Sequence, residues 1–191
     1  STNPVAVGDE VDIDMEASST AVITHIYERK NYIARSTPHQ NRERHIVASN
    51  LDQALLFATL KEPRTSQGFI DRFLVAAEAF HVPAIVVFNK YDLYRKKELQ
   101  VLEERKKMYV DIGYTIAVTS METSEGLDNL IALLKDKVTL ISGHSGTGKS
   151  TFINKIFPQL QLRTKDVSGW SGKGMHTTTF AEMFDLPFGG K

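Results

Sequence analysis

Two short motifs of this chain carry residue types that could bind a nucleotide, and the first is a glycine-rich stretch suited to phosphate groups. Gly143, Gly146 and Gly148 allow the backbone to curl closely around a ligand with its N–H groups pointing inward. Lys149 then supplies a cation for the terminal phosphates, and the hydroxyl of Ser150 is a candidate ligand of Mg²⁺. This spacing predicts a phosphate-binding P-loop; the alternative is a glycine-rich turn that matches by chance.

The second motif, residues 89–92 (N-K-Y-D), carries groups that could select guanine. The carboxylate of Asp92 can accept two N–H bonds from guanine, whereas adenine would leave this carboxylate unpaired at a large cost. Asn89 can tie the segment to the P-loop, and the stem of Lys90 can cover the base. The alternative is a solvated turn after a strand.

Each motif follows an apolar run that predicts a buried parallel strand, residues 83–88 before the guanine motif and residues 138–142 before the P-loop. In open α/β sheets, ligands bind at this carboxyl edge of the strands. A helix is predicted over residues 149–157, with its core-facing side chains at helical spacing and its N-terminus behind the phosphates.

A third segment could meet the guanine carbonyl with a backbone N–H group. Residues 115–119 predict a strand, and Thr119 and Ser120 lie at its carboxyl end. A helix is predicted over residues 127–135, with an apolar face formed by Leu127, Leu130, Ile131 and Leu134. Ser120 could also be an ordinary turn residue.

The order of the motifs is the reverse of that in an ordinary GTPase, where the P-loop precedes the guanine motif. We therefore predict an α/β fold, a circularly permuted P-loop GTPase domain. Only Asp136 and Lys137 join the predicted helix at residues 127–135 to the strand before the P-loop, and this link would fuse the ends of an unpermuted domain.

The 191 residues provide room for one α/β domain and a small further unit. Basic and acidic residues number 23 each, and this balance argues mildly against RNA binding by this chain alone. No cysteine is present, which excludes a thiolate metal site in the chain. No apolar run is long enough to span a membrane and no signal peptide is recognised, so we expect a cytoplasmic protein without a membrane partner.

The chain divides into two expected domains, residues 1–46 and residues 47–191. The first alternates polar and apolar residues in β-like runs at 5–11, 12–16 and 20–27, which predicts part of a β-barrel. Residues 28–45 follow as a polar connector, which could face RNA or be a solvated linker. The second domain begins with further elements, a strand at residues 53–58 and helices at residues 69–80 and 93–110.

The chain resembles the ribosome small-subunit-dependent GTPase A family (RsgA, also called YjeQ or EngC). Besides the P-loop, the matching stretches are residues 31–32, 50–53, 69–74, 89–93 and 174–179. The resemblance implies an OB-fold for the partial β-barrel, followed by the permuted GTPase domain. It also implies GTP or GDP and Mg²⁺ as cofactors, and a role late in the maturation of the small ribosomal subunit. The partners would be that subunit and its rRNA, and we expect a monomer.

Three features of the family are not found in the chain. The D-x-P-G motif is missing, and two segments that resemble it do not qualify. Residues 166–169 (D-V-S-G) follow no predicted buried strand, and in residues 185–189 (D-L-P-F-G) the glycine falls one position too late. We expect a strand at residues 179–184 and a turn at residues 186–190 instead. The zinc-binding domain is also missing, and Zn²⁺ would be bound only by that domain. The first strands of the OB-fold are missing as well. We therefore expect a piece of a longer protein.

The resemblance also assigns residues to the site. Those expected to contact GTP are Asn89, Lys90, Asp92, Thr119, Ser120, Gly143, His144, Ser145, Gly146, Thr147, Gly148, Lys149, Ser150 and Thr151. We expect His144 to stay solvated. Switch I should lie within residues 162–179. One threonine of residues 177–179 should be a second Mg²⁺ ligand beside Ser150, and we favour Thr178. His176 could position the attacking water, or it could only contact RNA or solvent.

Three functions remain in competition. The first is a GTP-hydrolysing factor for late maturation of the small ribosomal subunit. The second is another permuted GTPase, of a kind with a helical C-terminal domain and no β-barrel; residues 1–27 argue against it. The third is a nucleotide-binding fragment without hydrolysis.

Overall fold

The computed structural model describes residues 5–16, 20–36, 44–160 and 181–191, and the following helices and strands lie within these ranges. Two antiparallel hairpins, β1–β2 and β3–β4, precede a parallel sheet with helices on both faces. The strands are β1 (Val11–Met15), β2 (Ala21–Ile26), β3 (Tyr32–Ser36), β4 (Arg44–Ser49), β5 (Gln53–Ala58), β6 (Ala84–Phe88), β7 (Thr115–Val118) and β8 (Thr139–Gly143). The helices are α1 (Gln67–Ala79), α2 (Lys96–Asp111), α3 (Leu127–Leu134) and α4 (Lys149–Ile156).

The parallel sheet has the strand order β7-β6-β5-β8, so β5 lies between the strand of the guanine motif and the strand of the P-loop. All four strands agree with the prediction to within one residue at each end. The reason is that a parallel strand covered on both faces needs a nearly continuous apolar run, and every residue of β5 is buried.

Successive residues of β5 and β6 point into two separate layers of the core. Leu56 and Ala58 pack with α1 and α2, where Ile70 and Leu102 are buried. Leu55 and Phe57 pack on the other face with α3 and α4, whose buried residues are Leu130, Leu134, Phe152 and Ile156. These two layers cover both faces of the sheet.

Capping groups determine where α1 and α2 begin. The Ser66 side chain accepts a hydrogen bond from the Phe69 N–H, so α1 starts two residues before the predicted position. The Glu98 carboxylate accepts the N–H of Arg95, so α2 begins only at Lys96, after a 3₁₀ turn at Tyr91–Leu93. Among the described residues, no helix has the length and apolar character needed to cross a membrane.

Two expectations for the first 46 residues are wrong. Residues 5–10 form no strand, because the Asp9 carboxylate accepts the Ala6 N–H and closes a turn there. The expected connector contains all of β3 and the start of β4. The two strands pair with each other, and Ile33 and Ala48 supply apolar contacts to a third small core. Strand β4 also crosses the expected boundary after residue 46, and the division into two domains stays a prediction.

Polar side chains of the N-L-D-Q stretch at residues 50–53 connect the hairpins to the parallel sheet. The side-chain amide of Asn50 donates a hydrogen bond to the Gly8 carbonyl. The Asp52 carboxylate accepts hydrogen bonds from the Lys30 ammonium at 2.7 Å and from the Val138 N–H at 2.8 Å. Gln53 donates to the Leu133 carbonyl at 2.6 Å. The strand that leads to the P-loop is therefore bonded at its start to the hairpin region.

The last described segment contains the expected turn but not the expected strand. Leu186 and Gly190 close a turn through a 2.9 Å backbone bond, as predicted. Residues 181–184 belong to no strand in the described ranges, whereas residues 179 and 180 lie outside them. Backbone pairing with the edge of β8 involves Lys191, which bonds to Lys137 and Thr139.

Candidate nucleotide-binding site

The P-loop joins the end of β8 to the start of α4, and two of its glycines are required by close approaches. Gly143 has φ +139°, and a Cβ there would overlap the carbonyl oxygen of Phe57 on β5. Gly148 has φ +100°, and a Cβ there would overlap the amide nitrogen of Asn89. The loop can therefore sit against the neighbouring strand and the guanine motif only with glycine at these positions.

The Lys149 ammonium lies within the curve of the P-loop. Its Nζ donates to the carbonyls of Gly143 and His144, each at 2.7 Å, and burial lowers the pKa of this lysine. Thr147 is fully buried, and its hydroxyl donates to the same His144 carbonyl at 2.8 Å. The loop thus has a defined shape with one cation at its centre.

Three hydroxyl residues of the predicted site belong to the same segment. Ser145 lies in the exposed part of the loop, and Ser150 and Thr151 lie in the first turn of α4. A hydroxyl directly after the P-loop lysine has the oxygen chemistry that Mg²⁺ prefers.

Asn89 is the central residue of the guanine motif and is almost completely buried, with 1% exposure. Its Nδ2 donates to the Thr147 carbonyl in the P-loop at 2.8 Å, and its Oδ1 accepts the Thr119 hydroxyl at 3.1 Å. One side chain therefore joins the three predicted segments of the site, which come from β6, β7 and β8.

The Asp92 carboxylate is oriented by Ser120, whose hydroxyl donates to Asp92 Oδ1 at 2.5 Å. The Ser120 oxygen in turn accepts the N–H of Thr123 at 3.1 Å. The backbone N–H groups of Thr119 and Ser120 are both paired within the protein, with the carbonyls of Phe88 and Glu125. In this conformation, neither N–H group is available for a guanine carbonyl.

His144 is exposed, as expected, but it is not surrounded by solvent alone. Its ring stacks on that of Phe69 in the first turn of α1, with centroids 3.8 Å apart and planes at 30°. His176, Thr178 and the expected switch I at residues 162–179 lie outside the described residues.

Sequence reasoning missed a further set of residues beside the site. Residues 59–66, which join β5 to α1, approach both the guanine motif and the P-loop. Tyr94, two residues after the guanine motif, bonds to both this loop and Asn89. One available signal was that β5 precedes this loop, so the loop must start at the ligand-binding edge of the sheet.

A guanine motif and a P-loop at one edge of a parallel sheet, in permuted chain order, define the circularly permuted P-loop GTPase class of folds. The profile of the RsgA GTPase family matches residues 26–191. The chain belongs to the RsgA GTPase family.

Curated relatives agree with this membership. The small ribosomal subunit biogenesis GTPase RsgA of Bacteroides fragilis strain YCH46 is 50% identical over 187 residues, which is 98% of this chain and 60% of that protein. The protein of the same name from Cytophaga hutchinsonii is 51% identical over 187 residues, which is 97% of this chain and 61% of that protein. The chain therefore spans about three fifths of the length of these relatives.

Two solved structures share the fold. YjeQ from Thermotoga maritima superposes with a TM-score of 0.75 at 34% identity, covering 98% of this chain and 59% of that one. YloQ, described as a circularly permuted GTPase, has a TM-score of 0.62 at 31% identity, covering 83% of this chain and 52% of that one.

Proposed function

We propose that this chain binds GTP and GDP and hydrolyses GTP, as part of a factor for late maturation of the small ribosomal subunit. The observation that carries the proposal is the bond from Asn89 to the Thr147 carbonyl, because it joins a guanine-selecting motif to a phosphate-binding loop. A single ligand with guanine at one end and phosphates at the other fits this arrangement.

Five of the predicted site residues have chemical roles in this proposal. Asp92 selects the base, Lys149 binds the terminal phosphates, and Ser150 holds Mg²⁺ together with Thr178. The fit of the ion rests on the Ser150 hydroxyl in the first turn of α4, beside the P-loop lysine. Mg²⁺ would supply neutralisation of the phosphate charge. His176 is our candidate for positioning the attacking water, with contact to RNA or solvent as the alternative.

The small ribosomal subunit and its rRNA are the proposed partners, since the curated relatives are named small ribosomal subunit biogenesis GTPases. We propose that residues 1–46 form the C-terminal part of an OB-fold and that residues 47–191 form the GTPase domain, although β4 extends past this boundary to Ser49. Zn²⁺ would be bound only by a further domain of the full-length protein. A monomer in the cytoplasm is the expected state.

Two measurements test this proposal. Equilibrium titration with fluorescent GDP, competed with GTP or ATP, should show binding that GTP displaces and ATP does not. Single-turnover GTP hydrolysis should be slow for the chain alone and faster with purified small subunits. Competition by ATP and GTP with equal strength would contradict guanine recognition. Binding without hydrolysis in both conditions would support the nucleotide-binding fragment instead.

A further inference from the structure

The loop at residues 59–66 has a shape fixed by two buried threonines. The Thr65 N–H donates to the Thr59 carbonyl at 2.7 Å, and the Thr59 N–H donates to the Thr65 hydroxyl oxygen at 3.0 Å. The Thr59 hydroxyl donates to the Pro63 carbonyl, and neither threonine is exposed to solvent. The tip of the loop is therefore held in one position relative to the end of β5.

This tip touches both halves of the nucleotide site. The Lys90 ammonium donates to the Glu62 carbonyl at 2.5 Å, which places the lysine of the guanine motif on the loop. Pro63 lies against the P-loop, since its Cδ is 3.4 Å from the position that a Cβ on Gly146 would occupy. A shift of the loop would therefore disturb both the guanine motif and the P-loop.

The Tyr94 hydroxyl fixes the other side of this arrangement. It accepts the Leu60 N–H at 3.0 Å and donates to the Asn89 carbonyl at 2.7 Å. Tyr94 is only 4% exposed, and burial raises its pKa to about 12, so the hydroxyl keeps its donor proton at neutral pH. The start of the loop is thus bonded to the residue whose side chain bonds to the P-loop.

We propose that the Tyr94 hydroxyl positions the guanine motif and the loop of residues 59–66 for nucleotide binding. This inference rests on the proposed function, because it requires a guanine nucleotide as the ligand. Preorganisation of Asn89 and Lys90 lowers the ordering cost of binding and slows release of the nucleotide. Tyr94 is a positioning residue, since its hydroxyl acts through other residues.

The test compares two buried tyrosines that each lose one hydroxyl. Tyr94→Phe removes the bonds to Leu60 and Asn89, whereas Tyr109→Phe removes a 2.7 Å bond to Asp71 between α2 and α1. We expect Tyr94→Phe to accelerate dissociation of fluorescent GDP about tenfold with little change in the association rate. Both variants should lower the thermal midpoint to a similar extent. Tyr109→Phe should nevertheless leave the GDP dissociation rate unchanged.

A second variant keeps the test decisive if Tyr94→Phe does not fold. Pro63 is exposed, so Pro63→Gly loosens the loop without opening the core, and it should accelerate GDP dissociation about threefold. Equal dissociation rates for the wild type, Tyr94→Phe and Pro63→Gly would overturn the inference while leaving guanine binding intact. Equal acceleration by Tyr109→Phe would also overturn it, because the effect would then be loss of stability alone. A wild-type chain that does not bind GDP would overturn the proposed function itself.

Discussion

The side-chain amide of Asn89 donates a 2.8 Å hydrogen bond to the main-chain carbonyl of Thr147, although 58 residues separate them in the chain. The guanine motif and the P-loop follow two strands of the same parallel sheet, so both lie at its carboxyl edge. The contact depends on the spatial order of the strands and not on their order in the sequence. Permutation therefore leaves the geometry of the site in place.

Replacing Asn89 by alanine should weaken GDP binding about tenfold or more, because the bonds to the P-loop and Thr119 are both lost. The free energy of unfolding should also fall, by about 2 kcal/mol. The matched control is Asn31→Ala. Asn31 is another buried asparagine, and it bonds to Leu51 at the opposite edge of the sheet. Isothermal titration should show normal GDP affinity in that control; an equal loss in both variants would contradict a specific role for Asn89.

Gly148→Ala should abolish measurable GDP binding, because the new methyl group would overlap the Asn89 amide and push the P-loop away. Gly113→Ala provides the comparison. Gly113 has nearly the same φ, +98° against +100°, and has no atom within 4 Å of the added Cβ. Both variants should carry similar backbone strain of about 1 kcal/mol. If thermal melts and GDP titrations do not distinguish them, the tight approach at Gly148 has no role in binding.

Lys149→Ala should eliminate GTP hydrolysis and weaken GDP binding by at least about tenfold, since the cation inside the P-loop is removed. The fold should persist because Lys149 is only partly buried and does not belong to the apolar core, and circular dichroism can check this. Lys155→Ala removes a lysine further along α4, whose ammonium bonds to Ser124, and should leave both activities unchanged. Hydrolysis at the wild-type rate in Lys149→Ala would refute the P-loop assignment.

The parallel sheet was predictable because each of its strands is an apolar run that must be covered on both faces. The hairpins were harder, since β3 and β4 contain several charged or polar residues. Among the side chains that the structure describes there, Ile33, Ala48 and Tyr32 give core contacts. The site motifs were recognisable from local spacing. Contacts such as Phe69 with His144, or Lys90 with the Glu62 carbonyl, join distant segments and depend on helix and loop placement. No local pattern contains that information.

Stability should depend on pH through Asp9, whose pKa is lowered to about 2, chiefly by its hydrogen bond from Arg29. A carboxyl group whose pKa is lower in the folded state stabilises the protein at pH values above 3.8, its pKa in the unfolded chain. This contribution is lost as the pH falls toward 2, its pKa in the folded state. Asp9→Asn should therefore cost about 2 kcal/mol at pH 7 and clearly less at pH 3. Urea titrations at both pH values measure this; a constant difference would contradict the ion pair.

The central claim is that this site binds guanine nucleotides, and measuring base selection by Asp92 tests it most directly. The Ser120 hydroxyl holds this carboxylate at 2.5 Å, so Asp92→Asn changes the hydrogen-bonding pattern that meets the base with little change in shape. The decisive measurement is the affinity of the wild type and Asp92→Asn for GDP and for xanthosine diphosphate. We expect the wild type to prefer GDP and the variant to lose GDP affinity about a hundredfold while gaining affinity for the xanthine nucleotide. Unchanged preference for GDP in Asp92→Asn would contradict the assignment of this site to guanine nucleotides.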